Sequence, residues 1–432
     1  MAEEKRAEKR LEASARSGKY IKQDFIDLHE RVENGEPFAL LGAMVPVELF
    51  RAMDIPYVFQ PWWQAVVNAK RYGNKMWDCL KEGGYRDDIC SYCSMAFACS
   101  FDPSPKEGPW GGLPKPTIIV GGSNQDDSAS WKLDELMARQ FGADICHIQL
   151  LKQQNLPDCW WELEEDNWEE LITTERLDHY EHEVRKLADF LERVTGRNLD
   201  INKLNHILNN VNEQERYNKM ARDIIARTKP APATINDTIN AVQQAQWLRG
   251  TEWAKEHARL FYEEIKDRAE KGIGAIKDEK VRLMWLGAGL WVDTYFYQYF
   301  EEKYGADFIW SIYLGVGSDC YPRHHVEENP FRNMAARIAI IEDMLHHAKF
   351  CSQWYVHEAL KSQIDGVVYL LPTNCPNNNR DFSYSVIKEM NRVGIPVMVL
   401  QADPADAKSW NQDVMAAKLE KMIVEEILPK KQ

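Results

Sequence analysis

Two series of short apolar runs, each run followed by a polar or Gly/Pro turn and then a helical period, are separated in this chain by a long stretch with no strand pattern. The first series holds Phe38-Ala39-Leu40-Leu41-Gly42, Tyr57-Val58-Phe59, Thr117-Ile118-Ile119-Val120 and Ile145-Cys146-His147-Ile148. Between them Pro46-Val47-Glu48-Leu49 opens a helix with proline in its first turn, and Lys132 to Met137 form another. The second series holds Val281 to Trp285, Phe308 to Tyr313, Gly366 to Leu371 and Pro396 to Leu400, with helices from Phe331 to Ser352 and Ser383 to Val393. Strands that alternate with helices in this way are joined by crossovers and lie parallel, so each series predicts a doubly wound sheet.

The stretch from Leu163 to Glu270 has long helical periods, many charges and a break at Lys229-Pro230-Ala231-Pro232. The first residues, up to Glu33-Asn34-Gly35, are charge-rich and helix-favouring. The expected fold class is therefore α/β: two doubly wound parallel-sheet domains, Rossmann-like or flavodoxin-like, with an N-terminal helix and a helical middle. The boundaries read as 1–35 for the N-terminal helical segment, 36–162 for the first α/β domain, 163–275 for the helical segment and 276–432 for the second α/β domain.

Several partner classes are excluded by composition. A formal charge of −14 gives no basic field for a nucleic-acid backbone. No apolar run reaches the roughly 18 residues that span a bilayer, and the charged start Met1 to Arg10 has no secretory core, so no membrane partner and a cytoplasmic location are expected. Nine cysteines, an odd number, argue for thiols or thiolate ligands rather than a disulfide scaffold. Fifteen tryptophans exceed what an ordinary core needs and could line a flat pocket.

In doubly wound sheets ligands bind beyond the carboxyl ends of the strands. Cys375, in Pro372-Thr373-Asn374-Cys375-Pro376, follows a strand in a loop framed by prolines, which is a ligand position. Cys90-Ser91-Tyr92-Cys93 is a single Cys-x-x-Cys, open to redox, zinc or cluster readings, with Cys99 close behind and Cys320 in Asp319-Cys320-Tyr321-Pro322. Buried packing is the plain alternative for all of them. Gly121-Gly122-Ser123-Asn124 could cradle a phosphate or carbonyl through backbone N–H groups, although it lacks the Walker lysine. Tyr321, His324 and His325 offer proton donors, or an ordinary solvated loop.

The ordered segments resemble the 2-hydroxyacyl-CoA dehydratase and benzoyl-CoA reductase family from about Pro37 to Ile423. Val45-Pro46-Val47-Glu48-Leu49-Phe50 is similar to its Pro-x-Glu-Leu segment, and Gly84-Tyr85-Arg86-Asp87-Asp88-Ile89-Cys90-Ser91-Tyr92 to its Gly-Tyr-x-x-Asp-Leu-Cys-x-Tyr. Asp365-Gly366, Cys375, Gly394-Ile395-Pro396 and Asp403-Pro404 resemble its closing block. The resemblance implies a subunit of a heteromeric core that carries a [4Fe-4S] or double-cubane iron–sulfur cluster, with Cys90 and Cys375 as first and last ligands. It also implies a homologous second core subunit, an ATP-hydrolysing iron–sulfur activator, ferredoxin as upstream donor and a CoA thioester as substrate.

Three departures from the family pattern bear on the reaction. No cysteine follows the strand at Thr117 to Val120, where the dehydratases place their middle ligand, so Cys93, Cys99 or Cys320 substitutes, the partner contributes, or one iron binds oxygen or substrate. Ala43 stands near a serine of the substrate-binding dehydratase subunit, and Pro61 near its acid. With Trp62 and Trp63 beside Pro61, and Asn124 after the third strand, these changes suit an aromatic ring better than a hydroxyacyl chain. The expected function is thus the larger catalytic-core subunit of an ATP-dependent benzoyl-CoA reductase, an oxidoreductase. A 2-hydroxyacyl-CoA dehydratase subunit and a double-cubane electron-transfer protein are the alternatives.

Overall fold

The computed structural model describes residues 7–431 except 87, 102–107, 125–127, 152–156, 316–320, 347 and 375–379. The chain opens with α1 (Glu12–Glu33), whose buried positions Ile21, Phe25 and Leu28 recur at helical spacing. The first sheet follows, with β1 (Ala39–Leu41), β2 (Tyr57–Phe59), β3 (Ile118–Asn124) and β4 (Asp144–Leu150). Its helices are α2 (Val47–Ala52), α3 (Gln60–Ala69), α4 (Gly73–Glu82), α5 (Ser91–Ala98) and α6 (Ser128–Phe141).

Between β4 and β5 the described residues form helices and turns only. The long ones are α7 (Thr174–Thr195), α8 (Ile201–Arg227) and α9 (Glu252–Glu270). Each starts at a side-chain cap, Thr173, Asp200 and Thr251 respectively, which accepts from first-turn N–H groups that have no partner within the helix. The second sheet comprises β5 (Val281–Gly287), β6 (Ala306–Ser311), β7 (Gly366–Leu371) and β8 (Val397–Gln401). It is accompanied by α10 (Pro330–His346), α11 (Ala348–Lys361), α12 (Arg380–Arg392) and α13 (Gln412–Met422).

Both sheets are parallel and share one winding: β2-β1-β3-β4 and β6-β5-β7-β8. Wholly buried runs such as β6 and β7 fit that arrangement, since helices cover both faces of a parallel sheet. The order reverses between β1 and β3 and again between β5 and β7, which makes two switch-point crevices. Each has a glycine where strands approach most closely. A Cβ on Gly42 would lie 2.9 Å from the Gly122 nitrogen, and one on Gly287, at φ +79, would overlap the Leu370 carbonyl.

The α/β rhythm expected from the sequence is present, with two differences. Gly121-Gly122-Ser123-Asn124 continues β3 instead of looping away, paired in register with His147 to Leu150. The reason is steric: any Cβ at Gly121 would overlap the His147 ring and the Asp134 carboxylate, so only glycine lets the strand run beneath them. The helical stretch expected from Phe331 to Ser352 runs further, to Lys361, as α10 and α11 on either side of residue 347, which lies outside the described residues.

The segment before α1 is tied to the helical middle and to the short helix that precedes β6. The Arg10 guanidinium lies 3.1 and 2.5 Å from the two Glu301 carboxylate oxygens, and the backbone N–H groups of Arg10 and Leu11 donate to Asp237 Oδ1. Nearby Asp307 is wholly buried, and neither of its carboxylate oxygens has a hydrogen-bond partner. Burial, then Glu301, Glu279 and Asp237, push its pKa well above the ordinary value, against the opposing pull of Arg10. A carboxyl with a raised folded pKa contributes stability that is complete below about pH 4 and is lost as pH rises through the folded value. Asp307→Asn, neutral at every pH, is therefore expected to gain about 1–3 kcal/mol over wild type at pH 7.5, and less at pH 4.5, by urea denaturation. A difference independent of pH would contradict the assignment.

Candidate functional site

The cysteine pair of the first unit lies where that unit meets the second. Arg71, between α3 and α4, donates through Nη1 to the Val292 carbonyl at 2.5 Å, in the loop after β5. Ala65 of α3 packs against the second unit's core, and a Cβ on Gly73 would sit 3.2 Å from the Ala405 carbonyl. Ser91, the first residue of α5, and Asp403, two residues beyond the end of β8, are both buried, and the Ser91 hydroxyl favours the charged form of the Asp403 carboxyl. The Asp403 carboxylate accepts from the Ala405 and Asp406 N–H groups at 2.8 and 3.0 Å. Burial pushes the Asp403 pKa up, against the pull of these hydrogen bonds. The loops leaving the carboxyl edge of the second sheet thus rest on α3 to α5.

Cys90 is the residue capping α5, with φ −52 and ψ 122, and it is buried. Its carbonyl accepts the N–H groups of Cys93 and Ser94 at 3.2 and 3.0 Å. Cys93, also buried, falls in the same first turn, and side chains three apart share a helix face. None of the described cysteines forms a disulfide.

The other cysteine candidates differ in kind. Cys99 accepts from Trp63 Nε1 at 3.3 Å and donates to the Met95 carbonyl at 3.4 Å, so it is held as a packed thiol. Cys375 and Cys320 lie outside the described residues. The chain reaches Cys375 from the end of β7, where Leu371 pairs with Gln401 of β8, two residues before Asp403. Among the described residues, no three His, Cys, Asp or Glu side chains come together as a metal-holding group. A cluster bound at Cys90 and Cys93 would have to take its remaining ligands from Cys375, Cys320 or a partner.

Tyr321, His324 and His325 are brought to the helical middle and not to α5. Tyr321 is buried, its hydroxyl accepting from Trp354 Nε1 at 3.1 Å and its ring 4.8 Å beneath the Arg222 guanidinium. Burial raises its pKa far above the ordinary phenol value. His324 stacks on Trp168 and places Nε2 3.0 Å from Glu169 Oε1. His325 Nε2 lies 3.0 Å from Asn205 Oδ1, and burial lowers its pKa.

Trp62 and Trp63, expected at a substrate pocket, pack inward. Trp63 is 0% exposed, and its ring stacks 5.5 Å from Phe25 of α1. Trp62 lies 5.4 Å from the same phenylalanine and 6.2 Å from Trp110. The two rings close the core beneath α1, because α3 presents them to the apolar stripe of that helix. Asn124 ends β3 opposite Leu150, so its backbone belongs to the strand ladder.

One buried charged network was not anticipated. Glu48, at the start of α2, is wholly buried and receives Arg249 Nε at 2.7 Å and Nη2 at 3.4 Å. Arg249 and Arg337 hold its pKa below the usual carboxylate value, although burial opposes them. Arg337 donates to Gln246, and Gln246 to the buried Glu215 at 2.7 Å. This network fixes the exit of β1 against the helical middle. The clue available in the sequence was a charge inside the otherwise apolar run Val45 to Phe50.

The sequence matches the family described as 2-hydroxyglutaryl-CoA dehydratase, D-component, over residues 43–423. The chain belongs to that family. Among similar proteins are the (R)-2-hydroxyisocaproyl-CoA dehydratase alpha subunit of Clostridioides difficile, 19% identical over 409 residues covering 93% of each chain. The (R)-phenyllactyl-CoA dehydratase alpha subunit of Clostridium sporogenes is 19% identical over 386 residues, covering 89% of this chain and 88% of its own. Within this dehydratase D-component family the present chain has Ala43 exposed in the turn after β1 and Pro61 in the first turn of α3. Neither side chain can donate or accept a proton. No helix among the described residues is long and apolar enough to cross a membrane.

Proposed function

We propose that this chain is a core subunit of a heteromeric iron–sulfur enzyme acting on a CoA thioester, with Cys90 and Cys375 as thiolate ligands, one from each α/β unit. The observation that carries this reading is the place of Cys90, buried at the amino end of α5 and next to Ser91, whose hydroxyl acts on the Asp403 carboxyl two residues beyond β8 in the second unit. The donor set fits a cluster: two thiols in one helical turn, further cysteines on other segments, and a helix amino end that favours anionic ligands. Bound there, the cluster would supply single electrons at low potential. The protein's part is to hold those thiols, keep water from the reacting thioester and deliver protons. A homologous core subunit, an ATP-hydrolysing activator and ferredoxin complete the system.

For the reaction itself, the first reading is reduction of an aromatic acyl-CoA of the benzoyl-CoA type, in which two electrons and two protons give a cyclic diene. Ala43 and Pro61, which supply nothing to bind or remove a hydroxyl, support it. Burial disfavours Tyr321 and His325 as proton donors, and His324, beside Glu169, lies with them against the helical middle rather than at α5. The second reading, dehydration of a 2-hydroxyacyl-CoA, is favoured by the family and by both relatives. Anoxic assays of the chain with its partner and activator separate them. Ring reduction consumes electrons and ATP in proportion to product, whereas dehydration has no net electron demand. Turnover of a hydroxyacyl-CoA with no reduction of benzoyl-CoA would contradict the first reading.

A further inference from the structure

The turn that begins α5 holds two thiols at a backbone separation that a disulfide can bridge. Three donors converge on the Cys90 carbonyl: the N–H groups of Cys93 and Ser94, at 3.2 and 3.0 Å, and the Ser94 hydroxyl. A hydrogen bond from the third residue onward back to the first closes a tight turn, which keeps the two Cα atoms within about 7 Å. Disulfides span Cα separations of about 4.4–6.8 Å. Both residues carry free thiols, and their spacing in an α/β unit is the one that redox dithiols use. Two other buried cysteines are held differently. Cys99 donates to the Met95 carbonyl and accepts from Trp63 Nε1, and Cys351, 0% exposed, donates to the Asp343 carbonyl at 3.4 Å.

We propose that Cys90 and Cys93 are also a redox dithiol, which a small disulfide oxidises to a Cys90–Cys93 bond that closes this part of the ligand set to iron until a reducing thiol opens it. Oxidised glutathione balances the step. One protein sulfur attacks its disulfide and releases one glutathione, and the second protein sulfur then displaces the other. The two protein thiols give up two protons and two electrons, which leave on two glutathione thiols. Metal binding needs thiolates, and a disulfide offers none. The closed ring spans only the four residues from Cys90 to Cys93, so it constrains little of the unfolded chain and suits a bond that is made and broken. The effect on iron rests on the proposed ligand role of these cysteines; formation of the bond does not.

The test holds the metal-free full-length chain anoxically in oxidised glutathione, alkylates the remaining thiols, and maps a chymotryptic digest by mass spectrometry without reduction. Cleavage after Tyr92 and Phe97 puts Cys90, Cys93 and Cys99 on separate peptides. The expected product joins the Cys90 and Cys93 peptides in most molecules and leaves Cys99 and Cys351 alkylated, while Cys93→Ser leaves Cys90 joined to no other cysteine. The oxidised chain should then take up less than about a tenth of the iron and sulfide bound by the reduced chain, with uptake restored by dithiothreitol. Recovery of both Cys90 and Cys93 as alkylated thiols, or a bond from either to Cys79 or Cys99, overturns the dithiol. Equal iron uptake by the two forms, with the bond mapped, overturns the closure. If the reduced chain takes up neither iron nor sulfide, the proposed function fails and the peptide map alone decides the dithiol.

Discussion

Arg249→Ala is expected to cost about 3–5 kcal/mol of unfolding free energy, the usual consequence of stranding one half of a buried ion pair. The Glu48 carboxylate is 0% exposed and takes its shortest hydrogen bond, 2.7 Å, from Arg249. Without that partner the charge keeps the attraction of Arg337 and a backbone hydrogen bond. Replacing both members by methionine should recover most of the loss, because the desolvation cost of two ions disappears together with their attraction. Anoxic urea titrations of Arg249→Met, Glu48→Met and the double methionine variant form the required cycle. A loss below about 1 kcal/mol for Arg249→Ala would mean that Glu48 is reached by water or protonated, contrary to its burial and its lowered pKa.

Trp63→Ala should be comparably damaging, at about 3–5 kcal/mol, since it empties a large site under α1 and removes the donor to Cys99. Trp63→Phe keeps most of the volume, so it should lose only about 1–2 kcal/mol. The functional consequence is the informative part. If Trp63 serves the core, the phenylalanine variant keeps its KM for the thioester within about twofold while its urea midpoint falls. A raised KM with unchanged stability would return Trp63 to a substrate pocket.

How much of this was visible in the sequence depends on what each feature records. The α/β rhythm was legible because parallel strands such as Gly366 to Leu371 are apolar at every position and end in turn residues, a local signal. The continuation of β3 through Gly121 to Asn124 was not. Two glycines and an asparagine read as a loop, and only the overlying His147 and Asp134 explain why glycine is required in a strand. Cys90 was recognisable from its motif. That Asp403, more than three hundred residues away, comes near its neighbour Ser91 is a tertiary fact. The tryptophans illustrate the converse: their abundance suggested a pocket, but composition cannot distinguish a lining ring from a core ring, and Phe25 of α1 decided the matter for Trp62 and Trp63. Glu48 carried a signal that was read as part of a motif and not as a buried charge in need of a partner.

The central claim is that Cys90 and Cys375 hold an iron–sulfur cluster between the two α/β units. Iron and acid-labile sulfide content after strictly anoxic preparation, compared for wild type, Cys90→Ala and Cys375→Ala, tests it most directly. The wild-type chain should carry both iron and sulfide, and each variant should lose most of both while retaining the wild-type urea midpoint of the metal-free chain. Full retention of iron and sulfide in both variants would contradict the account.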